Sequence, residues 1–179
     1  MGNRQKWRNY FCEERRGKGC FLHCDGNDVG ITFEHGTVES YSSDNGKHAL
    51  FHLVSNQDGS ALFKFLADNT DVEFGYIGTN DYLSSVFTDN EVNKIDMIKK
   101  ANGLLSKGNS ISIMMHNHPK QTVPSGFNVE MKDGDKRVAE KMKGKGISFY
   151  VYRSLFNAVL PYNDSSCLDK NLEYHKIHY

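Results

Sequence analysis

Apolar residues along the chain recur at two different spacings, and the spacing indicates which segments are helices. The clearest helical spacing follows Asp89 and Asn90, either of which is predicted to cap that helix. A second, shorter helix is predicted over residues 59–67. The apolar stripe of the first helix, which we expect to face the core, consists of Val92, Ile95, Ile98, Ala101 and Leu105.

Short apolar and β-branched runs between turn residues predict strands. Residues 29–34 and 37–41 flank His35-Gly36 and predict a β-hairpin. Residues 147–153 and 158–162 predict an antiparallel pair after a turn at Lys143–Gly146. Further strands are predicted over residues 48–54, 72–78, 82–87 and 111–115. The mixture predicts an α+β fold, with a curved mixed sheet flanked by helices.

Composition and charge describe an ordinary globular chain. Of its 179 residues, 38% are hydrophobic and 25% are charged, and the formal net charge is zero. A dedicated nucleic-acid binder normally has a basic excess, so no nucleic-acid partner is expected. No apolar run reaches the roughly 18 residues of a membrane span, and no signal peptide opens the chain. We therefore expect no membrane partner, and export would need another carrier.

The cysteines near the N-terminus allow two interpretations. Cys12, Cys20, His23 and Cys24 could form a structural zinc knot, because Cys20 and Cys24 have a tolerable ligand spacing. Only three cysteines are local, however, and the first gap is irregular. Reduced, partly buried thiols are the favoured interpretation.

The apolar run that ends at His116, Asn117 and His118 is the centre of the predicted chemistry. If the strand continues through it, both imidazoles leave the same face and can reach one ion. Asp135 begins a predicted helix, where it could act as a cap or as a third ligand. Two histidines and one aspartate with a fourth position open are typical of a catalytic zinc site. Solvated histidines and a capping aspartate are the default alternative.

Four pieces of sequence occur in a fixed order: Glu73 within Val72–Gly78, then His-Asn-His-Pro119, then Pro-Ser125, then Asp135. This pattern resembles the JAMM/MPN (JAB) metalloprotease family. It is most similar to the JAB-like toxin domains at the C-termini of bacterial polymorphic toxins. The resemblance covers roughly residues 60–163.

The resemblance implies a division of the chain into three parts. Residues 1–58 would be an N-terminal extension with a β-hairpin, packed on the core. Residues 59–163 would form a JAB/MPN-like metallopeptidase core, and residues 164–179 a C-terminal tail.

The resemblance also implies a role for each residue of the site. Zn²⁺ would be held by His116, His118 and Asp135, and would bring the pKa of a bound water close to neutrality. Glu73 would be the general base, and Ser125 would donate a hydrogen bond to the oxyanion.

The loop before Asp135 is longer than in the family, so Asp133 is an alternative third ligand. Helix register favours Asp135, because apolar Val138 and Met142 follow it at helical spacing. This ligand set also accepts transition metals other than zinc.

The function that follows is a zinc-dependent metallopeptidase or isopeptidase, the effector domain of a bacterial polymorphic toxin. Its substrate would be a protein or peptide, including one with a ubiquitin-like tail, and an immunity protein would be a partner. A bacterial secretion system would deliver it into a target cell. The alternatives are a non-catalytic MPN-type scaffold and a nuclease of the His-Asn-His kind, suggested by His116, Asn117 and His118.

Overall fold

The computed structural model describes residues 9–12, 19–24, 27–32, 38–43, 48–120, 123–127, 134–165 and 175–176. Its helices are α1 (Asn56–Asn69), α2 (Met97–Leu105) and α3 (Asp135–Lys141), with a 3-10 turn at Ser154–Phe156. Its strands are β1 (Asn9–Cys12), β2 (Gly19–Cys24), β3 (Asn27–Thr32), β4 (Val38–Ser43), β5 (Ala49–Leu53), β6 (Gly75–Thr79), β7 (Ser84–Thr88), β8 (Ile111–Asn117), β9 (Ser148–Arg153), β10 (Ala158–Tyr162) and β11 (His175–Lys176).

The described strands form two sheets. Strands β1, β2 and β3 make a small antiparallel sheet, and the large sheet has the order β11-β10-β9-β8-β6-β7-β5-β4. Strands β8 and β9 pair in parallel, whereas β6 pairs with β7 and β8 in antiparallel fashion. The large sheet is therefore mixed, and the predicted α+β class with a helix-flanked mixed sheet is confirmed. None of the helices in the described ranges has the length and apolar character needed to cross a membrane.

The predicted hairpin of residues 29–34 with 37–41 is wrong in its pairing. Strand β3 pairs with β2, whereas β4 pairs with β5, so the two segments belong to different sheets. The predicted turn at His35-Gly36 lies outside the described residues. The alternation of apolar and polar residues identifies a segment as a strand, but it does not identify the strand with which that segment pairs. Strand β5 carries the buried residues Phe51 and Leu53, and β4 extends the sheet from it.

The helix predicted after Asp89 and Asn90 begins later, at Met97. Its N-cap is Asp96, whose carboxylate accepts a backbone N–H bond from the first turn. Asn90 is in the left-handed region with φ 58°, which no helix continues. Val92 is 38% exposed and is not part of the core stripe. The helical spacing of apolar residues thus began in the loop before the helix, and the capping residue Asp96 marks where the helix itself starts.

The other predicted elements are confirmed with small changes of boundary. The helix predicted at 59–67 is α1, which Ser55 caps and which spans Asn56–Asn69, slightly longer than predicted at both ends. The strand predicted at 72–78 is β6, which begins at Gly75, after Glu73. The strand predicted at 82–87 is β7, which pairs with β6, and the strand predicted at 48–54 is β5, which pairs with β7. The closing antiparallel pair is β9 with β10.

Apolar side chains pack on both faces of the large sheet. Tyr76 and Met115 belong to one buried cluster with helix α1, while their strand neighbours Ile77 and Met114 belong to a second cluster. Successive strand residues point to opposite faces, so the two clusters lie on opposite sides of β6 and β8. The second cluster includes residues of α2 and α3, which places these helices on the face of the sheet opposite α1.

Glycine at position 59 lets α1 lie close to β7. A Cβ atom there would be 2.0 Å from Ser84 Oγ, which must itself stay in place to donate to Ser55 O. A Cβ atom added to Gly103 in α2 would meet no atom within 4 Å. Gly59→Ala should therefore lower the free energy of unfolding by about 1–3 kcal/mol through overpacking. Gly103→Ala should raise it by about 0.5–1 kcal/mol through helix propensity.

Urea unfolding of the two variants beside the unchanged chain measures both effects. A stabilised Gly59→Ala protein would contradict the close packing of α1 on β7.

Candidate metal centre

His116 and His118 converge at the end of β8. His116 is the next-to-last residue of the strand, and His118 is the first residue after the strand ends. Both side chains are buried. Their Nε2 atoms lie 2.9 Å apart. The strand geometry therefore holds through this segment, and both imidazoles leave the same face, as the spacing predicts.

Asp135 opens α3 and brings its carboxylate to both imidazoles. Its Oδ1 lies 3.0 Å from His116 Nε2, and its Oδ2 lies 3.5 Å from His118 Nε2. The three potential ligand atoms all lie within 4.8 Å of one another, and all three residues are buried. The alternative ligand, Asp133, lies outside the described residues.

The spacing of these three groups fits a metal ion. Ligands at about 2.0–2.1 Å from a tetrahedral zinc are separated from one another by roughly 3.3 Å. The 2.9 Å between the two Nε2 atoms and the 3.0 Å from His116 Nε2 to Asp135 Oδ1 are both close to that value. Two imidazole nitrogens and one carboxylate oxygen make a donor set that leaves one tetrahedral position for water or substrate. A single transition metal, with zinc as the usual choice, matches this group.

Ser125 holds the carboxylate of Asp135 in place. The backbone N–H of Ser125 donates to Asp135 Oδ2 at 2.6 Å, and its hydroxyl donates to the same oxygen at 3.0 Å. In return, the backbone N–H of Asp135 donates to Ser125 Oγ at 3.1 Å. Because Oδ2 accepts two hydrogen bonds, Oδ1 is the oxygen left for a metal. Between the two residues, Gly134 has φ 135°, and a Cβ there would lie 2.9 Å from Ser125 Oγ, so only glycine fits.

The ionisable groups of the centre shift one another's pKa. Burial raises the pKa of Asp135, but the neighbouring His116 and His118 and the Ser125 hydrogen bond outweigh it, so the pKa lies well below its ordinary value. Burial lowers the pKa of His116, but the charge and hydrogen bond of Asp135, together with the charge of Glu73, raise it, and the net shift is upward. Asp135 is thus a permanent anion at neutral pH, the form in which a carboxylate binds a metal.

Glu73 faces the same cleft from the segment that leads into β6. The cleft has a volume of about 350 Å³, and Glu73, His116, His118, Ser125 and Asp135 all line it. Burial raises the pKa of Glu73 to about 7; His116 lowers it, and Asp135 and Glu91 raise it. A carboxyl group with a pKa near neutrality can both accept and return a proton at physiological pH.

One wall of the cleft was missed by reasoning from the sequence. Residues 93–98, the loop before α2 and its first turn, line the cleft, as do residues of α3. The sequence pattern assigned this stretch to the interior of a helix, which hid it as a cleft wall. The signal that could have found it is Asp96, a good N-cap residue directly before a helical run. The apolar side chains of the wall are those of Ile95, Met97 and Ile98.

Comparison with known families agrees with this geometry. Residues 52–140 match the family described as JAB-like toxin 1. This segment belongs to the JAB-like toxin family. The match runs from the end of β5 into α3 and contains all five predicted site residues, so the resemblance seen in the sequence is confirmed. No curated protein and no solved structure matches the chain.

The raised pKa of Glu73 predicts how the stability of the metal-free JAB-like toxin domain depends on pH. Between its unfolded value of 4.5 and its folded value of about 7, the native state binds more protons than the unfolded state. The free energy of unfolding therefore falls as pH rises through this window. Between pH 5 and pH 8 the contribution of Glu73 to this fall is roughly 2 kcal/mol. Glu73→Gln should remove that part.

Urea unfolding in the presence of a chelator, at pH 5 and pH 8, measures the difference. Glu140→Gln, an exposed glutamate of α3, is the matched control and should leave the pH dependence unchanged. Equal pH dependence of Glu73→Gln and the unchanged chain would show that Glu73 is not protonated in the native state.

Proposed function

We propose that this JAB-like toxin domain is a zinc-dependent metallopeptidase or isopeptidase. The observation that supports it best is the buried group of His116, His118 and Asp135 with Glu73 on the same cleft. Three protein ligands with an open position are typical of catalytic rather than structural zinc. A separate carboxyl group with a pKa near 7 is the usual partner of such a site.

A zinc ion bound here would supply a Lewis acid, which polarises a carbonyl and makes a water molecule acidic near neutral pH. Glu73 takes the proton of the attacking water at its carboxylate, and returns it to the nitrogen of the leaving amine. In the metal-free chain, burial raises the pKa of Glu73 to about 7. A bound cation would lower this pKa and so favour the carboxylate, the form that accepts the proton of the water.

Ser125 has a first task in this scheme, which is to orient Asp135. Its hydroxyl hydrogen is directed at Asp135 Oδ2, and so it is not directed at the open side of the cleft. Donation from Ser125 to an oxyanion stays a prediction and requires that its hydroxyl turns away from Asp135. The backbone N–H of Ser125 would then continue to hold the carboxylate alone.

The toxin family suggests where the reaction takes place. A JAB-like toxin domain is expected to be delivered into a target cell, where a cellular protein would be its substrate. The cleft wall formed by Ile95, Met97 and Ile98 offers apolar contacts to a substrate chain beside the metal-binding group. We further propose that the producing cell carries an immunity protein, since the cleft must be blocked there.

The proposal predicts that Glu73→Gln loses hydrolysis while it retains the metal. Removal of a general base lowers the rate by about 100- to 10,000-fold. The metal should stay, because Glu73 is not one of the three clustered ligands. The zinc-loaded protein and the variant would each be incubated with a bacterial lysate, and newly formed peptide termini would be identified by mass spectrometry. Glu140→Gln serves as the matched control and should cleave like the unchanged chain.

New termini that depend on Glu73 are the expected result. A protein that carries one zinc per chain and yet produces no termini beyond those of the Glu73→Gln sample would contradict peptide hydrolysis.

A further inference from the structure

Asn117 lies between the two proposed metal ligands, but its side chain is bound elsewhere. It is the last residue of β8 and is 1% exposed. Because successive strand side chains point to opposite faces, it points away from the face that His116 and His118 share. Its carboxamide is therefore available for a different task from the histidines on either side.

That carboxamide binds the main chain on both sides of Glu73. The N–H of Phe74 donates to Asn117 Oδ1 at 2.6 Å, and Asn117 Nδ2 donates to the carbonyl of Val72 at 3.1 Å. The backbone N–H of Asn117 also donates to the carbonyl of Phe74 at 3.2 Å. One buried residue thus makes three hydrogen bonds to the three-residue segment that carries Glu73.

The main chain of Glu73 itself is held from the other side. Its N–H donates to the carbonyl of Glu91 at 2.8 Å, and its carbonyl accepts from Thr88 Oγ1 at 2.6 Å. Glu73 precedes β6, so the regular ladder between β6 and β8 does not reach it. Side-chain hydrogen bonds take over where the ladder ends, and they satisfy buried backbone groups that would otherwise be unpaired.

We infer that Asn117 is a positioning residue for Glu73. It ties the backbone that carries the proposed base to the backbone that carries the proposed ligands His116 and His118. A catalytic group must keep its place to within about 0.5 Å, and buried hydrogen bonds from rigid elements provide that precision. The inference rests on the proposed function, because it assigns Glu73 the role of base.

The chemistry of the asparagine side chain explains why this residue type suits the position. It offers one acceptor for Phe74 and one donor for Val72, side by side in one planar group. Serine is too short to reach both groups, and leucine has the size but neither the donor nor the acceptor. Either substitution leaves two buried backbone groups without their partner.

The test uses Co²⁺ as a metal probe, because its visible spectrum reports the surroundings of the ion and needs no substrate. Asn117→Ser is compared with the unchanged chain, with Glu73→Gln, and with Asn80→Ser as the matched control. Asn80 is exposed, donates to Ser110 Oγ and does not line the cleft. Hydrogen exchange of the Phe74 amide, followed by NMR, reports directly on its hydrogen bond to Asn117 Oδ1.

We expect Asn117→Ser still to bind one Co²⁺ per chain, since the proposed ligands His116, His118 and Asp135 all remain. Its spectrum should shift towards that of Glu73→Gln, because Glu73 is no longer held beside the ion. The Phe74 amide should exchange about tenfold faster or more. Asn80→Ser should match the unchanged chain in all three measurements.

The outcomes separate this inference from the proposed function. If the unchanged chain binds no Co²⁺, the proposed function fails and the positioning role fails with it. If the chain binds Co²⁺ but Asn117→Ser leaves the spectrum unchanged, only the positioning role is overturned. Should Asn117→Ser not fold, Asn117→Leu, which keeps the number and branching of the side-chain heavy atoms, takes its place with the same expectations.

Discussion

The antiparallel pairing of β6 with β8 is the constraint on which the candidate site depends. Its register sets Gly75 opposite His116, so the segment just before β6 and the segment just after β8 end at the same point. Glu73 and His118 are contributed by these two ends. A shift of one residue in this pairing would turn the histidines to the opposite face, away from Asp135. The core on both faces of the sheet therefore also fixes the geometry of the site.

The electrostatics of the site follow from its burial. Two carboxyl groups and two imidazoles share a cleft in which Asp135, His116 and His118 are all less than 9% exposed. Burial by itself penalises charge, and Asp135 remains ionised because the histidines and Ser125 compensate it. For Glu73, burial and the charges of Asp135 and Glu91 outweigh the opposing effect of His116, so its pKa rises. A divalent cation between the histidines and Asp135 would favour the anionic form of both carboxyl groups.

Much of the fold and the site could be predicted from the sequence, because the informative signals are local. The His116 and His118 spacing, the Asp135 helix and the Glu73 segment each have a pattern within a few residues. Strand partners and the cleft wall formed by residues 93–98 depend on tertiary packing, which single-segment patterns do not encode. The contacts of Ser125 and Asn117 also could not be read from the sequence. Each depends on a backbone group brought close by the fold, 10 residues away for Asp135 and 43 for Phe74.

The hydrogen bonds between Ser125 and Asp135 indicate a role for Ser125 that differs from the one implied by the family resemblance. The resemblance assigns Ser125 to the stabilisation of the transition state, while the structure shows its hydroxyl donating to Asp135, the proposed third ligand. Groups that orient a ligand commonly affect metal affinity as strongly as they affect turnover. The reciprocal hydrogen bonds join Ser125 to Asp135, two residues that are 10 positions apart in the sequence.

The central claim is that one metal ion is held by His116, His118 and Asp135. X-ray absorption at the zinc edge of the zinc-loaded chain tests it most directly, beside His118→Ala and the matched control His48→Ala. We expect only nitrogen and oxygen neighbours at about 2.0–2.1 Å in the unchanged chain and in His48→Ala, and loss of the ion in His118→Ala. Sulfur neighbours at about 2.3 Å that persist in His118→Ala would place the zinc on the cysteines instead, and would contradict the account.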